Sequence, residues 1–356
     1  MKQRVAVVTI NDIKPNYGNL LQNYASLCVY RELGFKADTL VTQEQSNYYK
    51  FLVKRILHEF NISRFNDCAV VKEYNFLKFA RKYLSQNFSY IQEKLNITQY
   101  DFFSVGSDQV WNPAWYYGKR EDAFLLKFCN QNQKIAFAPS FGVKSIPEEW
   151  EDVFAKYLSE IKYLSVREEA GARIIKELTG KDSKVLIDPT LFLDGNRWRH
   201  VSKKPKGISK ENYILTYFLG GINPAQNEYM NTLAEREGLK KYNLLDKSQP
   251  EIFVSGPSEF LWLFDHASIV LTDSFHACVF SFLFNKPFIV YDREGTGNTM
   301  NSRLETLLST LCIERKYANS GLENNIWEHD YTEGYKQLVI EREKVIKFLR
   351  ESLGVE

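Results

Sequence analysis

Five histidines occur in the 356 residues, and one of them, His276, stands where the local pattern could make it a reagent. It lies in IVLTDSFHACVFSFLFNKPFIVYDR, Ile269 to Arg293. Ile269, Val270 and Leu271 read as a short buried strand. Thr272, Asp273 and Ser274 form a polar turn where an N-cap belongs, and Ala277 to Phe284 is apolar enough for a buried helix. Phe288 to Tyr291 reads as the next strand. His276 then falls in the first helical turn at the carboxyl end of a strand, where open α/β sheets bind ligands. A helix amino terminus offers unpaired N–H groups and the positive end of its dipole to an anion. The same dipole lowers the pKa of a histidine placed there until an anion binds beside it. An imidazole that gains its proton as a phosphate-bearing substrate arrives suits general acid catalysis. The competing account is a satisfied core histidine.

Other polar residues follow strands in the same way. In the first half these are Asn16 to Asn19, Ser107, Asp108, Gln109, Ser140 and Arg167; in the second they are Ser274, His276, Lys286, Arg293 and Arg303. Each has a structural explanation when taken alone. Gly18 could serve a turn, Asp108 could cap a helix, and Arg167 could pair with Glu168 or Glu169. Taken together, the arginines could close bidentately on one anion. Asp188 precedes Pro189, and the pair reads as structural. No GxGxxG opens the first helix, GGINPAQ is too loose to count, and there is no P-loop, HExxH or GxSxG.

The elements that must position these residues alternate. Val5 to Ile10 reads as a strand, Gly18 to Leu33 as a helix stopped by Gly34, and Phe35 to Val41 as a second strand, a unit that builds parallel sheets. Residues 43–100 are helical, aromatic and basic. Lys50, Lys54, Arg55 and Arg64 there form either a solvated face or a surface that touches anionic lipid or a lipid-linked substrate. Strands and helices alternate again to about residue 200, where NRWRHVSKKPKGISKEN reads as a linker. The alternation resumes from YILTYFLGG to a terminal helix at about Glu333 to Leu353. The expected fold is therefore α/β, with two doubly wound, Rossmann-like domains facing a cleft. They span 1–200, with the helical insertion 43–100, and 201–356.

A net charge of +2 gives no case for nucleic acid. The amino terminus is not patterned as a signal peptide, and no run reaches the roughly 20 apolar residues of a membrane span. Five widely spaced cysteines without zinc or redox spacing read as reduced core residues of a cytoplasmic protein. The 25 Phe and 21 Tyr suit well-filled cores more than sugar stacking.

Six segments in order, NYGNLLQNYA, VGSDQVWNP, SVREEAG, LIDPTLFL, TDSFHACVFSFLFNKPF and NSRLETLL, resemble the polysaccharide pyruvyl transferase family over nearly the whole chain. The resemblance implies a fold like the B-type glycosyltransferases. It also implies phosphoenolpyruvate as donor and co-substrate, with no separate cofactor and no metal. The acceptor would be a sugar hydroxyl pair on a surface-polysaccharide precursor, often lipid-linked, and the product a pyruvate ketal. The family histidine falls on His276 and its SVRE arginine on Arg167. Many relatives carry arginine where this chain has Ser274, and Arg303 is the expected replacement. The expected roles are His276 as acid and Asp108 as base, with Arg167, Ser274, Lys286 and Arg303 on the donor. Asn16, Asn19, Gln22 and Gln109 are expected on the acceptor. The expected location is cytoplasmic, with peripheral contact to an anionic membrane face. A sugar-nucleotide glycosyltransferase on the same fold, or a non-catalytic anion- or carbohydrate-binding relative, are the alternative functions.

Overall fold

The computed structural model describes residues 2–11, 15–42, 53, 56, 67–116, 120–209, 212–293, 301–313 and 326–355. Lys50, Lys54, Arg55 and Arg64 lie outside these residues. The chain divides into two compact units. The first comprises Met1–Gln45, Ala80–Phe192 and Leu338–Glu356, the second Ser46–Phe79 and Leu193–Gln337.

The elements, in chain order, are β1 Arg4–Val8, α1 Tyr17–Glu32, β2 Lys36–Leu40, α2 Cys68–Tyr83, β3 Gln86–Asn87 and β4 Phe102–Val105. Then come α3 Arg120–Phe124, β5 Lys134–Ala136, α4 Glu148–Ser159, β6 Tyr163–Val166, α5 Glu169–Thr179, β7 Lys184–Val185 and α6 Pro189–Phe192. The second half follows with α7 Gly195–Val201, β8 Tyr213–Tyr217, α8 Pro224–Glu237, β9 Lys240–Asn243, α9 Pro250–Phe253 and α10 Pro257–His266. Last are β10 Ile269–Thr272, α11 Phe275–Leu283, β11 Phe288–Val290, α12 Asn301–Thr310 and α13 Thr332–Leu353.

The first unit holds a parallel sheet in the order β3-β2-β1-β4-β5-β6-β7. Its interior strand β1 is apolar on both faces because both are covered: Val5, Ala6, Val7 and Val8 are all fully buried. Helix α1 starts at Asn16, whose side chain accepts from the Asn19 N–H at 3.3 Å. It stops before Gly34, which takes φ +92°, a conformation that suits glycine. The aromatic residues fill the core. Trp111 is fully buried, stacks at a tilt on Phe141 with centroids 5.2 Å apart, and donates its Nε1–H to the Phe124 carbonyl at 3.1 Å.

The second unit holds a parallel sheet in the order β11-β10-β8-β9. In both sheets the order reverses beside the first strand of the unit, between β1 and β4 and between β8 and β10. Ligands of doubly wound sheets bind at the carboxyl ends of strands at such a reversal.

The division differs from the expected one in three places. The start of the helical insertion belongs to the second unit. There Lys72 Nζ donates to the Leu244 carbonyl at 3.1 Å and lies 4.4 Å from the Phe253 ring centre, and Asn75 Nδ2 donates to the Val254 carbonyl at 2.7 Å. The last part of α13 returns to the first unit, where Arg342 Nε donates to the Leu191 carbonyl at 2.9 Å. The segment expected as a linker opens with helix α7 instead. Asp194 caps that helix, Trp198 is fully buried edge-on against Phe280 at 5.1 Å, and Arg199 pairs with Asp265 at 2.8 Å. One tryptophan outweighs the polar composition around it, because burying it removes a large apolar area from water.

Trp198→Ala should therefore lower stability by about 3–5 kcal/mol, measured as a shift in urea midpoint. A loss under about 0.5 kcal/mol would be that of an exposed linker residue. Lys72 gives a pH signature. Burial lowers its ammonium to about 8, against an ordinary value of about 10.4. Between these values the unfolded chain holds more protons at this site than the folded chain, so stability rises with pH there. Wild-type stability relative to Lys72→Met should increase between about pH 8 and pH 10. A pH-independent difference in urea midpoints would place that ammonium in water.

Candidate active site

At the reversal of the second sheet, Asp273 follows β10. Its Oδ1 accepts the Leu219 N–H and its Oδ2 the Gly220 N–H, both at 2.7 Å, which fixes the loop after β8. Thr272 donates its hydroxyl to the Tyr217 carbonyl at 2.6 Å and accepts the Ser274 N–H at 3.0 Å. Burial, reinforced by Asp273 and offset by Arg293, holds the Tyr217 phenol well above its ordinary pKa.

Arg293 leaves β11 and reaches the same place. Its Nε lies 3.4 Å from Asp273 Oδ2, and its Nη2 donates to the Asp273 carbonyl at 3.4 Å. Only glycine fits opposite: a Cβ on Gly220 would stand 2.7 Å from Arg293 Cγ and 3.0 Å from Asp273 Oδ2. Ser274 is the N-cap of α11, and its side chain makes no capping bond. His276 is the second residue of that helix and is buried, its ring edge-on to Phe275 at 5.3 Å. The first amides of a helix have no carbonyl one turn back to bond, so this edge presents N–H groups beside an imidazole and a guanidinium.

The first unit carries a different constellation after β4, β6 and β7. Arg167 Nη1 donates to Asp188 Oδ2 at 2.6 Å and Nη2 to Asp108 Oδ1 at 3.2 Å. Asp188 also accepts the Ser107 hydroxyl at 2.9 Å, the Thr190 N–H at 3.0 Å and the Thr190 hydroxyl at 2.7 Å. The Arg167 side chain is 2% exposed. Burial opposes its charge, but Asp188, Asp108 and Glu168 outweigh burial and raise its pKa. Glu168 Oε1 in turn accepts the Ser140 hydroxyl and the Phe141 N–H, both at 2.9 Å. Gln22 links α1 to the sheet, donating to Thr9 Oγ1 at 2.6 Å and accepting the Ser107 N–H at 3.2 Å.

These positions revise several expected roles. Ser274 and His276 stand together at the edge of the second sheet. Lys286 does not join them: it precedes β11, while His276 follows β10, and the strands are parallel, so the two lie at opposite edges. Burial holds the Lys286 ammonium below its ordinary pKa, with Asp265 opposing and Arg199 adding to the shift. Arg303 is buried in the first turn of α12. Arg167 is not an offered cation, because two carboxylates of its own unit neutralise it. Gln22 is a fully buried internal strut and not an acceptor contact. Asn16 is a helix cap; Asn19 and Gln109 are buried near the carboxyl edge of the first sheet. Asp108 takes φ +60°, and one of its oxygens is held by Arg167. Asp273 and Gly220 are residues that sequence reasoning did not select, and Arg293 stood among the candidate residues after strands without an expected role. Their signal was present as a charged residue after each of two adjacent strands and a Gly-Gly pair after a third. Among the described residues no group of three His, Cys, Asp or Glu is placed to hold a metal ion, and no helix is long and apolar enough to cross a membrane.

Asp188→Asn should cost about 3–5 kcal/mol in a urea titration, since it leaves a buried guanidinium short of its main counter-charge. Asp108→Asn should cost less, as that side chain is 11% exposed. Equal, small losses for both would mean that Arg167 is hydrated and not tied.

The sequence model described as polysaccharide pyruvyl transferase matches residues 16–295. No curated protein matches the chain. Among solved structures, the Staphylococcus aureus MnaA–UDP co-structure is 13% identical with a TM-score of 0.49, covering 100% of this chain and 98% of that one. Anabaena Alr3699/HepE in complex with UDP and glucose is 12% identical with a TM-score of 0.47, covering 99% of each. Neisseria meningitidis UDP-GlcNAc 2-epimerase bound to UDP-GlcNAc is 11% identical with a TM-score of 0.45, covering 97% and 94%.

Proposed function

The chain belongs to the polysaccharide pyruvyl transferase family, and from that premise we propose that it converts phosphoenolpyruvate and a sugar hydroxyl pair into a pyruvate ketal. The acceptor is proposed to be a surface-polysaccharide precursor. One observation supports the donor assignment above the others: His276 occupies the first turn of α11 at the sheet reversal, three residues after Asp273, whose carbonyl the Arg293 guanidinium reaches. Phosphoenolpyruvate carries about three negative charges near neutral pH, on its phosphate and its carboxylate. An edge of helix amides, arginine and histidine has the complementary sign.

The proposed reaction balances without a further reagent. Imidazolium His276 gives its proton to the methylene carbon, which becomes the methyl group. The adjacent carbon turns electrophilic, one sugar hydroxyl attacks it, and the proton released restores His276. The carbon–oxygen bond to phosphate then breaks, and the second hydroxyl closes the ketal. Its proton leaves with inorganic phosphate. An anion beside an imidazole favours the protonated form, so donor binding prepares the acid.

His276→Ala should lower kcat by about 10² to 10⁴ with donor KM little changed. The readout is release of inorganic phosphate, together with acceptor that gains one pyruvic acid less one water in mass. Undiminished turnover in the variant would remove His276 from the chemistry. Turnover of a sugar nucleotide without any of phosphoenolpyruvate would overturn the donor.

A further inference from the structure

With the donor placed as proposed above, we propose further that Arg293 binds an oxyanion of that donor, and that Asp273 holds Arg293 ready to do so. The strand register places the pair. Thr272 stands opposite Tyr217 on one side and Val290 on the other, so the chain leaving β10 is flanked by the exits of β8 and β11. Arg293 is three residues past Val290 and reaches back over Asp273. Its reach stops at the carbonyl of Asp273, one residue before the N-cap of α11.

What the guanidinium does there separates it from a structural ion pair. Asp273 accepts its strong hydrogen bonds from two backbone amides at 2.7 Å. Toward Arg293 it offers only a 3.4 Å approach to Nε and a 3.4 Å carbonyl contact to Nη2. Arg293 Nε makes no hydrogen bond among the described residues. A guanidinium has five N–H donors in a planar fork suited to carboxylate or phosphate, so most of that capacity stays open. The side chain is 13% exposed, enough for a small ligand to meet it and little enough to limit screening. Gly220 adds the shape: any side chain at that position would strike Arg293 Cγ.

The test titrates the full-length chain calorimetrically with phosphoenolpyruvate, with inorganic phosphate and with pyruvate. Wild type, Arg293→Gln and Arg293→Lys are compared, with melting curves to establish that each is folded. Loss of one charge-assisted bidentate contact should weaken phosphoenolpyruvate binding by about ten- to a hundredfold in Arg293→Gln. Arg293→Lys should restore part of that loss, and acceptor KM should stay unchanged in turnover assays. Inorganic phosphate weakened in parallel assigns Arg293 to the phosphate; pyruvate weakened in parallel assigns it to the carboxylate. A folded Arg293→Gln that binds phosphoenolpyruvate as tightly as wild type overturns the role of Arg293 and leaves the proposed reaction standing. If phosphoenolpyruvate does not bind wild type while phosphate binds through Arg293, the proposed donor fails and the oxyanion site stands. If no anion binds wild type, both fall.

Discussion

A buried carboxylate gathers the hydrogen-bond donors at the carboxyl edge of each sheet, two backbone amides on Asp273 and one amide, two hydroxyls and a guanidinium on Asp188. In the second unit Asp273 grips the N–H groups of Leu219 and Gly220. In the first, Asp188 accepts from Thr190 twice, from Ser107 and from Arg167. Loops after parallel strands have no ladder to satisfy their amides, and a buried amide without a partner is costly. A carboxylate placed at the strand exit satisfies several at once and brings a negative charge that can hold an arginine. The edges are therefore built by the same device.

Their consequences differ because the geometry differs. Asp188 uses its second oxygen on Arg167 at 2.6 Å, and Asp108 takes the other nitrogen, so the guanidinium becomes part of the framework. Asp273 has its oxygens occupied by amides and holds Arg293 only at 3.4 Å. The first edge is self-neutralised. The second keeps a cation at its rim, beside a histidine in the first turn of a helix whose N-cap side chain makes no capping bond.

Much of this order could be read from residue types. The alternation of apolar strands with helices of the right length gave both parallel sheets, and the turn before ACVFSFLF placed His276 near a helix start. The roles of the arginines could not be read in that way. Arg167 and Arg293 each follow a strand and each looks like a charged loop residue. Which is tied and which is open depends on contacts across 20 or more residues, Asp108 and Asp188 for one and Asp273 for the other. Lys286 was misleading because proximity in sequence to His276 hid a full helix between them. The split of α13 between units left no trace in the pattern, since an amphipathic helix continues unbroken through Gln337 and Leu338. Near residue 200, lysines and a proline concealed the buried Trp198.

Magnitudes decide which arginine can meet a ligand. Freeing Arg167 would strand a buried charge, a cost of about 3–5 kcal/mol, and binding one oxyanion returns only about 1.5–3 kcal/mol. That exchange is unfavourable, so Asp188 and Asp108 compete strongly with any ligand for Arg167. Arg293 faces the opposite balance. The Arg293–Asp273 approach is long, 3.4 Å, and Nε makes no hydrogen bond in it, so less is given up there than a charge-assisted bidentate bond to phosphate or carboxylate supplies. The guanidinium can also keep its tether through Nη2 while other nitrogens take the anion, so little has to be given up. The chain thus separates two uses of one residue type by burial and hydrogen-bond length alone.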